Sequence, residues 1–130
     1  MRGILFRGKA IATNEWVTGN LLQTSLGETY IAPLSADIGD VHSWRVDPET
    51  VGQYTGLNDV DNGSIYEGDV LEFELIPGKY SFGFVEWEEN HALFLTRLSA
   101  RNTTGIYTTG RIIGNIHDNP ELGESIYLRF

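Results

Sequence analysis

The sequence predicts a mainly β protein: a small, SH3-like bent barrel over about 65–117, with a β-rich N-terminal section, 1–50, packed on it. Three observations point there. Fifteen glycines recur between short β-branched and aromatic runs, the punctuation of a chain of short strands. Val70-Leu71-Glu72-Phe73-Glu74-Leu75 alternates with period two, setting Leu71, Phe73 and Leu75 toward a core and Val70, Glu72 and Glu74 toward water. Helical periodicity is scarce, and about five short strands with tight turns fall between 65 and 117, the complement of a small barrel.

Taken in order, Ile4 and Phe6, with Arg2, fall on one side of a first strand. Trp16-Val17 and Leu21-Leu22 flank Thr18-Gly19-Asn20, and Thr29-Tyr30-Ile31-Ala32 forms a strand ended by Pro33. Residues 33–41 read as a loop. The run 42–47 places Trp44 and Val46 on one half-buried face. Asp47-Pro48-Glu49-Thr50 reads as one helical turn, because Asp47 can cap it and Pro48 suits a first position whose N–H has no intrahelical partner.

The central section, 51–122, opens with a short extended piece between Gly52 and Gly56. Asn58-Asp59-Val60-Asp61-Asn62-Gly63 is a loop closing on Asn-Gly, a pair favoured where both central residues need positive φ. Gly68-Asp69-Val70 leads into a strand, and Pro77-Gly78 turns it into a long aromatic strand, 80–87, in which Gly83 permits a bend or bulge. Glu88-Glu89-Asn90 turns the chain into 92–96. A polar loop precedes a short strand at Ile106-Tyr107, and Thr109-Gly110 turns into 111–116. The end, 123–130, carries a terminal strand in which 126–130 alternates. Residues 1–130 are expected to form one domain.

The bulk numbers exclude several classes. A chain of 130 residues, 41% hydrophobic, is large enough to bury a core. It has no cysteine, so disulfides and thiolate metal sites are ruled out. No run approaches a membrane span, and no signal-peptide pattern opens the chain, which predicts a soluble cytoplasmic protein. Eighteen acidic against nine basic residues give a net charge of −9, which disfavours nucleic acid as a partner. That surface suits a basic protein partner or simply keeps the chain soluble.

Chemical motifs are sparse. Asn58, Val60 and Asn62 fall where a calcium loop ending on Gly63 would need acidic ligands, so a turn is the better reading. His42, His91 and His117 are far apart in sequence and lack ligand spacing, even with Glu86, Glu88 and Glu89 near His91. There is no Gly-x-Ser-x-Gly, cysteine nucleophile or P-loop. Glu67 and Asp69 form a possible carboxylate pair. Asp69 more economically bonds backbone N–H groups of a turn in which Gly68 supplies unusual φ.

Four blocks, in order and spacing, carry a family likeness. They are Val51-Gly52-Gln53-Tyr54-Thr55-Gly56-Leu57, Ile65-Tyr66-Glu67-Gly68-Asp69-Val70, Gly83-Phe84-Val85-Glu86-Trp87, and Ile113-Gly114-Asn115-Ile116-His117-Asp118. With them the chain resembles the YopX family of phage and prophage proteins over essentially its whole length. It departs at Asp59-Val60-Asp61-Asn62, where the family usually carries a lysine-rich loop. The resemblance implies a small β-rich protein from a phage or integrated element, and it carries over no catalytic residue and no cofactor.

The motif positions marked for binding are Gln53, Tyr54, Thr55, Tyr66, Glu67, Asp69, Trp87 and Asn115. The expectation is a non-enzymatic module for a host or phage protein. One alternative is a small-ligand or nucleotide-binding protein, or an enzyme, using the 53–69 loops. Another is a nucleic-acid-binding barrel stacking bases on Tyr80, Phe82 or Phe84. An unpaired terminal strand would also offer an edge for self-association.

Overall fold

The computed structural model describes residues 3–33 and 42–129. All but Pro33 of the expected 33–41 loop lies outside the described residues, as do Arg2 and Phe130. Most described residues are in strands, arranged as two antiparallel sheets, and the chain forms two compact units, Met1–Tyr54 and Thr55–Phe130.

In the first unit, β1 (Phe6–Lys9) pairs with β2 (Trp16–Gln23), β2 with β3 (Thr29–Pro33), and β3 with the short β4 (Trp44–Arg45). Gly52 and Gln53 of β5 (Gly52–Asn58) pair with the other side of β1. Ala10, Ile31, Ala32 and Val46 are buried. Trp44, expected to share the half-buried face of Val46, is exposed. The turn at Asp47 forms as expected: the Asp47 carboxylate accepts from Glu49 N–H, and Pro48 opens a 3-10 turn, Pro48–Thr50. Thr50 ties that turn to β1, donating to the Asp47 carbonyl at 2.7 Å and accepting from Lys9 N–H at 2.8 Å.

In the second unit, β5 continues and is followed by β6 (Ser64–Tyr66), β7 (Asp69–Ile76), β8 (Lys79–Glu88), β9 (Leu93–Arg97), β10 (Thr103–Thr104) and β11 (Arg111–Asn115). Of the strands in 65–117, β6 pairs with β5 in the other sheet, and β7 to β11 make an open sheet, order β10-β9-β8-β7-β11, rather than a closed barrel. A physical reason sits on β11. Ile112 N–H is taken by the Asp59 carboxylate at 2.9 Å and Asn115 N–H by the Asn119 side-chain oxygen at 3.2 Å, so side chains cap the strand's donors.

The sheet is covered on both faces. Leu71, Phe73 and Val85 pack with Ile65, Ile106 and Tyr107, and the Phe73 and Tyr107 rings stack 4.8 Å apart. On the other face Val70 and Phe84 pack under Leu122 and Ile126. Those two belong to α1 (Pro120–Tyr127), which replaces the expected terminal strand and removes the edge proposed for self-association. Pro120 opens the helix, and Leu122 and Ile126 are four residues apart, so they share one helical face. Val70, expected to be wet, is therefore fully buried, while Leu75, expected in the core, is exposed.

Gly83 does not mark a bulge; the register shifts lie between Glu74 and Ile76 and between Ile112 and Gly114. It permits close approach, since a Cβ there would stand 2.4 Å from the Arg97 carbonyl oxygen. In the Asn62-Gly63 turn only Asn62 is left-handed, at φ 64°.

Candidate functional site

The motif positions fall into two groups, and the larger one is occupied with holding the fold. In the first unit Gln53 is the register partner of Phe6, and Tyr54 N–H donates to the Leu5 carbonyl at 2.8 Å. In the second unit the Thr55 hydroxyl donates to the Ile65 carbonyl at 2.8 Å and accepts from Leu57 N–H. Tyr66 is buried and Glu67 half-buried.

Asp69 is fully buried, and its carboxylate accepts from Tyr66 N–H at 2.8 Å. Between them Gly68 turns at φ +93°, as expected for that turn. Two distant family-like blocks meet here. Asn115 is the register partner of Asp69, and the His117 ring lies over Gly68, 3.3 Å from where a Cβ would stand. The Asn115 side-chain oxygen caps the next turn, accepting from His117 and Asp118 N–H at 3.0 and 2.9 Å.

The loop before β6 is organised in the same way around Asp59. One carboxylate oxygen accepts from Asp61 and Gly63 N–H, and the other from Ile112 N–H. The Ile112 bond foremost, with those of Gly63 and Asp61, holds the Asp59 carboxyl below its usual range. Asp61 pairs with Arg111 at 2.8 Å. Among the described residues no group of three or more His, Cys, Asp or Glu converges as a metal site.

Trp87 differs from the rest. It lies near the end of β8, 42% exposed, opposite Phe94 of β9. Their rings meet edge to face with centroids 4.9 Å apart. Leu93, 43% exposed, precedes Phe94 in β9 and so points to the opposite face of the sheet. Acidic groups border the Trp87–Phe94 pair. Glu88 holds the exposed hairpin turn, accepting from His91 N–H and from the His91 ring at 2.7 Å, and the ring contact foremost lowers its carboxyl from the ordinary value. Glu89 is exposed in the same turn.

Ala92 closes the turn at φ 52°, a left-handed conformation for a residue with a Cβ. The second unit holds five Lys and Arg against twelve Asp and Glu, net −7, whereas the first holds four against six, net −2.

The sequence marks Trp87 but not Phe94 beside it. The strand pairing that joins them is read from neither alone. The sequence also offered Tyr80, Phe82 and Phe84 as a stacking platform. Phe84 is buried under α1, and Phe82 carries the Arg129 guanidinium on its ring, so the three present no common exposed face.

These features define a small β-rich protein with an aromatic patch, an acidic border and carboxylates engaged in turns. The chain belongs to the YopX family: the family model described as YopX protein matches residues 5–124. Among solved structures, the crystal structure of protein EF1440 from Enterococcus faecalis is similar, at 18% identity and a TM-score of 0.58. That likeness covers 94% of this chain and 99% of that one, and it shows a shared fold. No curated protein matches the sequence significantly. No helix among the described residues is long and apolar enough to cross a membrane.

Proposed function

We propose that this chain is a non-enzymatic accessory protein of a phage or prophage that docks a basic protein of the host or phage through Trp87 and Phe94. The observation that carries this is Trp87, 42% exposed and set edge to face on the half-buried Phe94. Exposed aromatics contribute little to the fold, whereas a tryptophan desolvated at an interface is among the strongest anchors of binding. The charge of the second unit and the carboxylates of Glu88 and Glu89 supply the complement to a basic surface, which raises association rate and selects against acidic partners.

The carboxylates of Asp59 and Asp69 favour docking over catalysis by the 53–69 loops, because each accepts backbone N–H groups. The test uses the intact protein as bait in host lysate, beside Trp87→Ala and a Glu89→Lys variant. A basic partner retained by the parent and lost by both variants, with their melting curves near the parent's, supports the proposal. Retention by both variants contradicts it.

A further inference from the structure

The second unit also contains a groove that docking through Trp87 does not use. It opens beside the ends of β7 and β8 and the turn that joins β9 to β10, with a volume of about 530 Å³. Its lining includes Leu75, Ser81, Asn102, Thr103, Thr104 and Arg129, and Arg129 is the only charged group among the described lining residues.

Arg129 is held in a defined plane. Its guanidinium carbon lies 3.9 Å from the centroid of the Phe82 ring. Its Nη1 donates to the carbonyls of Phe82 at 2.7 Å and Leu98 at 3.4 Å. These carbonyls lie just past Phe84 and Arg97, where the register of β8 with β9 ends, so the side chain bridges the strands as they part. No carboxylate among the described residues pairs with Arg129, and its Nε and Nη2 make no hydrogen bond there. Burial pulls its pKa down, with no opposing carboxylate to raise it.

A guanidinium in this state has a specific remainder. With Nη1 engaged and the plane fixed by Phe82, the Nε–Nη2 edge presents two parallel N–H donors. That spacing matches the two oxygens of a carboxylate. We propose that the groove binds a carboxylate, seated bidentate on the Nε–Nη2 edge of Arg129, with the rest of the ligand along Ser81, Thr103 and Thr104. The ligand is a monoanion, because the described lining holds one cation. A phosphate dianion would leave a charge unmatched in a unit that is already acidic. The hydroxyls of Ser81, Thr103 and Thr104 can donate or accept, which suits the amide or hydroxyl groups of a peptide or small organic acid.

The test is an NMR titration of the isotope-labelled full chain, following the Arg129 side-chain Nε–H and the amides of Thr103 and Thr104. The probes are acetate against acetamide, and a blocked acetyl-Val-Glu-Val-amide peptide against its glutamine counterpart. Saturable shifts with the carboxylates, at a Kd on the order of millimolar and absent with the amides, are expected. Tighter binding of the peptide identifies a peptide carboxylate as the source; equal or tighter binding of acetate identifies a free acid.

Arg129→Lys keeps the charge and loses the fork, and should weaken binding by about tenfold. Thr103→Glu, at an exposed position that leaves the Arg129 bonds to Phe82 and Leu98 intact, puts a competing carboxylate in the groove and should weaken binding while the fold is unchanged. Equal shifts from the amides, no saturation by either carboxylate, or parental affinity in both variants overturns the proposal.

Discussion

Two parts of the second unit, the turns at 58–69 and the hairpin at 86–97, use polar and aromatic residues in opposite ways. The first holds the motif residues Tyr66, Glu67 and Asp69, yet Asp59 and Asp69 both accept from backbone N–H groups. The second has little motif density beyond Trp87; Glu88 holds its turn, but the Trp87 ring and the Glu89 side chain stay exposed. Irregular backbone that cannot pair in a ladder needs side-chain acceptors, so a turn-rich segment acquires fixed residue identities for architecture alone. A regular hairpin satisfies its own backbone and leaves its outward side chains available.

This contrast can be broken by substitution, and the effects should fall in order. Asp69→Ala should be the most damaging, because it leaves the buried Tyr66 N–H without its acceptor; a loss of about 3 kcal/mol in urea unfolding is expected. Asp59→Ala should follow at about 2 kcal/mol, since the N–H groups freed at Asp61 and Gly63 can reach water more readily than that of Ile112. Hydrogen exchange should then quicken at Ile112.

Acid provides a third test of the same carboxylate. The folded-state pKa of Asp59 lies below its unfolded value, so its contribution is fully present above about pH 5 and fades as pH falls through the folded value. The melting temperature should decline below about pH 4, and Asp59→Asn should flatten part of that decline.

The hairpin changes should be smaller. Trp87→Ala removes a partly exposed edge-to-face pair and should cost about 1 kcal/mol in the same unfolding measurement. Ala92→Gly should raise stability by about 0.5 kcal/mol, because glycine adopts the left-handed turn without a Cβ penalty.

Much of the strand pattern was legible from local chemistry. The Asp47-Pro48 turn, the Pro77-Gly78 turn and the Gly68-Asp69 entry to β7 each follow from residues within a few positions of one another. Asp59 was not legible in the same way, because its distinguishing partner, Ile112, is 53 residues away. The terminal alternation of Ile126, Leu128 and Phe130 imitated a strand. The Leu122–Ile126 spacing behind Pro120 was the helical signal, and burial of Val70 followed from it.

At the binding surfaces, Trp87 could be named but not its neighbour Phe94. Arg129 gave no local signal, since its setting depends on carbonyls at Phe82 and Leu98.

If 58–69 serves the fold while Trp87 serves a partner, the two must differ in what they contribute to stability. Parallel urea unfolding of the parent, Asp69→Ala and Trp87→Ala tests it most directly. A drop of about 3 kcal/mol for Asp69→Ala and about 1 kcal/mol for Trp87→Ala is predicted. A larger loss for Trp87→Ala than for Asp69→Ala would contradict it.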